Sequence, residues 1–149
     1  MSILSIAVSG LSAASLRVSV AASNIANART TGPLPASGGS GPSAGGGSAS
    51  IGPTFPAAYV PLQVNQVSQS SGSMLGGTAA TVSAVSPSFT AEFDPSAPFA
   101  NGHGLVAAPN VDLASEIAEL TIAKYSFIAS AKVIQAYAET TDSLLDITT

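Results

Sequence analysis

The sequence contains no cysteine, and only 8% of its 149 residues are charged. The absence of cysteine excludes a disulfide framework, a zinc finger with thiolate ligands and a thiol nucleophile. Four basic residues stand beside eight acidic ones, which gives a net charge of −4 at pH 7. Binding to nucleic acid requires a basic stripe that neutralises phosphates. We therefore expect no nucleic-acid partner.

This shortage of charge limits the kind of surface that the folded chain can present. A typical globular protein has about 25% charged residues, and a monomer keeps them on its outer face. Here serine, threonine, glycine and alanine take that place, while the hydrophobic share is 46%. A surface that tolerates water but carries little charge suits contact with other protein. The composition therefore favours a structural subunit of an assembly over an enzyme.

Long apolar runs are missing as well. Residues 1–16 carry no charge, but no basic residue precedes them, and serine or glycine interrupts each short apolar run. A membrane span needs roughly 18 or more apolar residues, and a cleaved secretory signal begins with a basic segment. The sequence predicts neither a membrane-spanning helix nor a cleaved signal peptide.

Residues 3–28 have the pattern of a long helix in which apolar residues recur in steps of four and three. This spacing is typical of the buried stripe, or seam, of a coiled coil. The predicted seam of this first helix consists of Leu4, Val8, Leu11, Ser15, Val18, Ala22 and Ile25. The rest of its surface holds serine, alanine and glycine instead of lysine and glutamate. Such small residues allow other helices to approach closely from several sides.

Residues 111–147 form the second predicted helix, with the same spacing and no proline inside it. Asn110 or Asp112 is placed to cap its first turn. Its predicted seam consists of Leu113, Ile117, Leu120, Phe127, Ala131, Ile134, Ala138 and Leu145, with Lys124 and Thr141 at two further positions. Because an isolated helix is marginal in water, we expect both terminal segments to be partly disordered in the single chain and to order when they pack together inside an assembly. The pattern leaves open whether each seam packs within one chain or between copies.

The segment between the two helices changes character once along its length. Residues 33–58 are rich in glycine, serine and proline, which predicts a flexible linker or insertion. These glycines lack the Gly-Lys-Ser/Thr ending of a phosphate-binding loop. Residues 59–108 hold three short runs in which apolar and polar residues alternate, at 60–64, 80–84 and 89–93. These runs predict a small β module of three strands.

The predicted fold is mainly α: two long terminal helices pack as a coiled coil, and a small β module is inserted between them. The predicted domain limits are 1–32 for the N-terminal helix, 33–58 for the linker, 59–108 for the β module and 109–149 for the C-terminal helix.

Few residues suit catalysis or metal binding. His103 lies between two glycines, and we interpret it as a turn residue, because a catalytic histidine needs a nucleophile or carboxylate beside it. Asp94 and Asp112 are interpreted as a turn residue and a helix cap instead of a carboxylate pair. Asn24 and Asn27 are candidates either for fixing helix register or for capping. We predict no catalytic residue, no metal site and no cofactor.

Two blocks of the sequence resemble a known family. The runs Ser9-Gly-Leu-Ser-Ala13 and Ala22-Ser-Asn-Ile-Ala-Asn27, with Arg17 between them, are similar to the N-terminal signature of flagellar rod and hook proteins. The run from Phe93 to Val106, followed by Pro109-Asn-Val-Asp-Leu113, resembles the segment before the last helix in the FlgC-like proteins of the proximal rod. The resemblance covers residues 1–32 and 59–149 and leaves out the glycine- and serine-rich stretch.

This resemblance implies a structural subunit of the bacterial flagellar rod, the hollow shaft that transmits motor torque and surrounds the export channel. The terminal helices would form the inner tube through their seams together with Asn24 and Asn27, and the β module would lie outside them. The implied partners are copies of the chain, other rod proteins, and the basal-body ring and export-gate base of the rod. The implied location is the periplasmic rod of the basal body, reached by flagellar type III export without a cleaved signal.

Two alternatives remain at this point. One is another axial component, such as a distal rod or hook-type protein, which would carry a much larger middle region. The other is an unrelated secreted helical protein or small enzyme, which would not form filaments.

Overall fold

The computed structural model describes residues 3–35, 55–69 and 76–147. Within these residues the chain forms two α-helices and four β-strands: α1 (Ile3–Ala26), β1 (Leu62–Ser68), β2 (Thr78–Ala84), β3 (Phe89–Phe93), β4 (Leu105–Pro109) and α2 (Leu113–Ile147). The predicted fold class is confirmed, since α1 and α2 pack together with a small β module between them in the chain. Most of the predicted linker, residues 36–54, lies outside the described residues.

The chain divides into two compact units. The first consists of Met1–Ala26, Leu62–Ala84 and Val111–Thr149, and therefore holds both helices and the β1–β2 hairpin. The second consists of Asn27–Pro61 and Val85–Asn110, and holds the β3–β4 hairpin.

The two helices of the first unit pack in an antiparallel pair. Asn24 near the end of α1 contacts Glu116 near the start of α2, whereas Gly10 lies against Ser130. The face of α1 turned toward this contact is built from small residues. Its buried members are Ala7, Ala13, Ala14, Val20, Ala21 and Asn24. On α2 the buried residue is Ala123. With so little side chain between them, the two backbones approach closely.

The β1–β2 hairpin is antiparallel, with Leu62 opposite Ala84 and Ser68 opposite Thr78. It is held against α1 by Ser9, whose Oγ accepts a hydrogen bond of 3.0 Å from the backbone N–H of Thr78. Gly77 has a φ of 104°, and a Cβ there would lie 2.8 Å from Ser9 Oγ. Glycine is therefore required at this bend both for its backbone conformation and for the space it leaves.

The second unit is centred on β4, whose residues Val106, Ala107 and Ala108 are buried. Strand β3 pairs with it in antiparallel register, with Phe89 opposite Pro109. On its other side Gly32 exchanges two backbone hydrogen bonds with Ala107, of 2.9 and 3.0 Å. The sequence predicted three strands and missed β4. A short apolar run that is buried does not alternate and cannot be recognised as a strand from its period.

The polar residues singled out in the sequence have local structural roles. Asp112 caps α2, because its Oδ1 accepts a hydrogen bond from the backbone N–H of Ala114 at 3.0 Å. Asn110 instead donates to the carbonyl oxygen of Pro87 at 2.9 Å. Asp94 accepts from the N–H and hydroxyl of Ser96 in a turn. His103 is exposed and occupies a turn, in which its backbone N–H donates a hydrogen bond to Asn101 Oδ1.

The contact between Gly10 and Ser130 gives a prediction about the helix pair. Alanine is favoured over glycine inside a helix by about 1 kcal/mol, but a Cβ at position 10 would lie 2.8 Å from Ser130 Oγ. In the Ser130→Ala background the next atom is 3.8 Å away. We expect Gly10→Ala to stabilise the Ser130→Ala chain by about 1 kcal/mol and the unchanged chain by less, as measured by urea unfolding. Equal effects in both backgrounds would contradict this close contact.

A second prediction concerns Gly32. A Cβ at this position would overlap backbone atoms of Ala57 and Ala58, which cannot rotate away as a side chain can. We expect Gly32→Ala to disrupt the second unit, seen as loss of amide protection in β4. Gly102 is the matched control, because a Cβ there meets nothing within 4 Å. Gly102→Ala should leave protection unchanged, and similar losses from both substitutions would refute the explanation.

Candidate subunit interface

The predicted seam of α1 does not face α2. Val8 is 46% exposed, and Leu4 and Val18 are exposed as well. Leu11 and Ile25 are half-buried, and Ala22 is exposed. At 3.6 residues per turn, Leu4, Leu11 and Ala22 lie about a quarter-turn around the helix from the small residues that meet α2. Val8 lies further round, and Val18 and Ile25 lie closer to the small residues. The large apolar side chains of α1 are thus left on one flank of the helix pair.

The predicted seam of α2 has a similar offset. Its positions lie about a quarter-turn from Ala123, which is the buried residue of this helix. Three of its members are half-buried, namely Leu120, Ala131 and Ile134. Phe127 is 41% exposed. The exposed remainder consists of Leu113, Ile117, Ala138 and Leu145.

The two seams lie side by side on the same flank of the pair. The direct observation is an open groove of about 500 Å³, which is lined by Leu11, Ser12, Ser15, Leu16 and Ser19 of α1 together with Phe127 of α2. Residues of both predicted seams therefore border one groove. We call the surface around it the composite face; its members are Leu4, Val8, Leu11, Val18, Ile117, Leu120, Phe127 and Ala131.

The opposite flank of α1 is covered by the β1–β2 hairpin. Ser9 binds the backbone of Thr78, and a Cβ at Gly76 would lie 3.2 Å from the side chain of Ile6. Near the end of the helix, Asn24 binds Leu62. The first unit therefore has one flank covered by its own hairpin and one apolar flank uncovered.

Asn24 is the polar residue on which this arrangement depends. Its side chain is completely buried. Nδ2 donates to the carbonyl oxygen of Leu62 and to Glu116 Oε1, both at 2.7 Å, and Oδ1 accepts from the N–H of Leu62 at 3.0 Å. One amide thus joins α1, α2 and the start of β1. Of the two sequence interpretations of Asn24, these contacts support the fixing of helix register.

Asn27 has a different role from Asn24. It follows the last residue of α1, and its carbonyl oxygen accepts a hydrogen bond from the N–H of Thr30 at 3.0 Å. Its side-chain Oδ1 accepts from the Thr30 hydroxyl at 3.3 Å. Asn27 therefore belongs to the turn that ends the helix.

An ion pair that the sequence pattern did not reveal lies between the helices. Arg17 Nε is 3.6 Å from Glu119 Oε2. Nε is buried without a hydrogen-bond partner, so this contact is electrostatic. The pairing could have been anticipated only by knowing the antiparallel register, because the two residues are far apart in sequence.

Two family models match the chain. The model for the flagella basal body rod protein matches residues 4–33 and therefore includes nearly all of α1. The model for the flagellar basal body rod FlgEFG protein C-terminal region matches residues 103–147 and includes all of α2. The chain belongs to the flagellar rod and hook family. No curated protein matches it.

Family membership confirms the resemblance to flagellar rod and hook proteins and makes the chain a structural component of the flagellar axis. The FlgC-like resemblance of residues 93–113 stays a prediction. The two matched regions contain the two helices that carry the composite face. In the part of the rod-family chain that the structure describes, no group of histidine and acidic residues is arranged to hold a metal ion.

By length and composition, α1 meets the criteria for a membrane-spanning helix, against our expectation from its interrupted apolar runs. The core helix of a soluble protein and a signal sequence meet the same criteria. Here one face of α1 packs on α2 and one flank is covered by the hairpin. These contacts support a helix that packs against protein.

The Asn24 contacts give the prediction for this site. In Asn24→Asp the carboxylate cannot donate to Leu62 or Glu116, and it brings a second negative charge beside Glu116. Leaving buried groups unsatisfied costs about 1–3 kcal/mol each. We expect a loss of at least about 2 kcal/mol in the free energy of unfolding. Asn65→Asp is the control, since Asn65 is exposed and donates to Ser83 Oγ at the surface. Similar losses from the two substitutions would contradict the role given to Asn24.

Proposed function

We propose that this chain is a structural subunit of the proximal rod, and that it assembles helically through its terminal helices into the hollow shaft around the export channel. The observation that carries this proposal is the uncovered composite face, which both matched segments build together. Large exposed apolar patches mark sites of protein contact. A neighbour that covered the face would remove Val8, Val18 and Ile117 from water.

The subunit contacts in this proposal use both predicted seams and Asn27, and the terminal segments 1–32 and 109–149 form the inner helical domain. Asn24, which the sequence also placed among the contacts, is fully buried inside the chain and fixes the register of the helix pair instead. An interface in which two different surfaces meet does not close into a symmetric dimer. It can instead continue as a helical polymer, which is the arrangement of a rod. The partners are copies of the chain, other rod proteins, and the ring and export-gate base at the foot of the rod. The chain acts without catalysis, in the periplasm, after type III export.

The size of the middle region supports the proximal rod over the distal rod and hook. The two matched segments are separated by residues 34–102, which leaves no room for the large middle domain of hook-type proteins. The alternative, a distal rod or hook-type component, is favoured by one observation: the C-terminal match is to the model named for the FlgEFG proteins. Locating the chain in images of purified basal bodies would decide between the two.

Val18→Asp tests the composite face. Val18 is already 37% exposed, so a charge there should leave the single chain folded. In an assembled rod the same charge would be buried without a partner, which costs several kcal/mol. We expect normal helical content by circular dichroism, but no incorporation into basal bodies and no swimming. Ala129→Asp, at an exposed position of α2 away from the composite face, should swim normally. Swimming by cells that carry Val18→Asp would refute the proposal.

A further inference from the structure

The helix α2 extends past the end of its partner. Gly10 opposite Ser130 and Asn24 opposite Glu116 define a register in which Ile3, the first described residue of α1, lies opposite Tyr137. Residues 137–147 therefore begin level with Ile3 and continue for about 15 Å beyond the part of α1 that the structure describes. We call this segment the tip. Every one of its residues is exposed.

The tip has two distinct faces. Tyr137 and Leu144 continue the stripe that faces α1 nearer the start of α2. Ile147 lies about 60° further round the helix, next to Leu144. Leu144 is 64% exposed and Ile147 is 81% exposed. On the other side lie Glu139 and Asp142, and the tip contains no basic residue. It is thus a short amphipathic helix with an uncovered apolar face and an acidic back.

We propose that the tip of one copy binds in the groove of a second copy. This contact rests on the proposed function and specifies which two surfaces of the subunits meet. The groove extends from Leu11 to Ser19, about 12 Å along α1, which matches the length of the tip. Leu11, Leu16 and Phe127 provide apolar walls for Leu144 and Ile147. The small Ser12, Ser15 and Ser19 leave room for an approaching helix.

Charge favours this contact over a pairing of two tips. Two paired tips would bring two acidic segments close together with no basic residue in either, whereas Lys124 lies one turn from Phe127 at the groove. The tip cannot reach its own groove, because seventeen residues of continuous helix place Leu144 about 26 Å from Phe127. The contact is therefore between copies and joins two different surfaces, which allows it to repeat along a rod.

Single cysteines test the contact directly, because the chain has none of its own. Ser15→Cys and Leu144→Cys, both at exposed positions, are expressed together in the source bacterium, and basal bodies are purified and oxidised. We expect a disulfide-linked dimer that contains one copy of each variant. Glu139→Cys, on the acidic back of the same tip, is the control and should link to Ser15→Cys at most one-tenth as often.

The outcomes separate this contact from the proposed function. If both variants enter basal bodies but Ser15→Cys and Leu144→Cys do not link, the contact is wrong and the rod assignment stands. A dimer formed mainly by Leu144→Cys with itself would overturn the contact in favour of paired tips. If the unchanged chain is absent from basal bodies, the rod assignment fails and the contact fails with it.

Discussion

The close packing of α1 on α2 through alanine and glycine is the constraint on which the rest of the structure depends. Small residues at Ala7, Gly10, Ala14 and Ala21 let the two helices approach with almost no side chain between them. This contact buries little apolar area, so it contributes less hydrophobic free energy than a seam of leucines would. Its consequence is that the large apolar residues of both helices remain outside the pair. Both helices are formed and packed in the structure of the single chain, but its most apolar surface is left uncovered.

Polar contacts supply the specificity that small side chains lack. A face of alanines can slide by one helical turn with little loss of packing, because each residue resembles the next. Asn24 removes this freedom, since its amide satisfies Leu62 and Glu116 in one register only. Arg17 and Glu119 add an electrostatic contact in the same register. The position of the composite face, and the amount by which α2 extends past α1, both follow from this register.

The sequence was sufficient for the fold class and for the family, and insufficient for the use of each helix face. Steps of four and three residues predicted both helices to within about two residues of their observed ends. The same pattern could not say which stripe packs within the chain, because a stripe of alanines and a stripe of leucines both satisfy it. Strand β4 was missed since burial on both sides removes alternation. Asn24 was identified as a candidate from its position, but its partners required the three-dimensional register.

The division between the two stripes leaves this weakly charged chain with a single apolar surface that is open to neighbours. Were the leucine and valine seams buried within the chain, the monomer would be more stable and would have little reason to bind neighbours. Were they fully exposed without the hairpin, both flanks of α1 would be apolar and association would lack direction. The hairpin covers one flank through Ser9 and Asn24, which leaves a single flank for neighbours. In the proposed rod, the direction of growth would therefore be set by an asymmetry inside each subunit, in which a few hydrogen bonds determine where the apolar surface is left open.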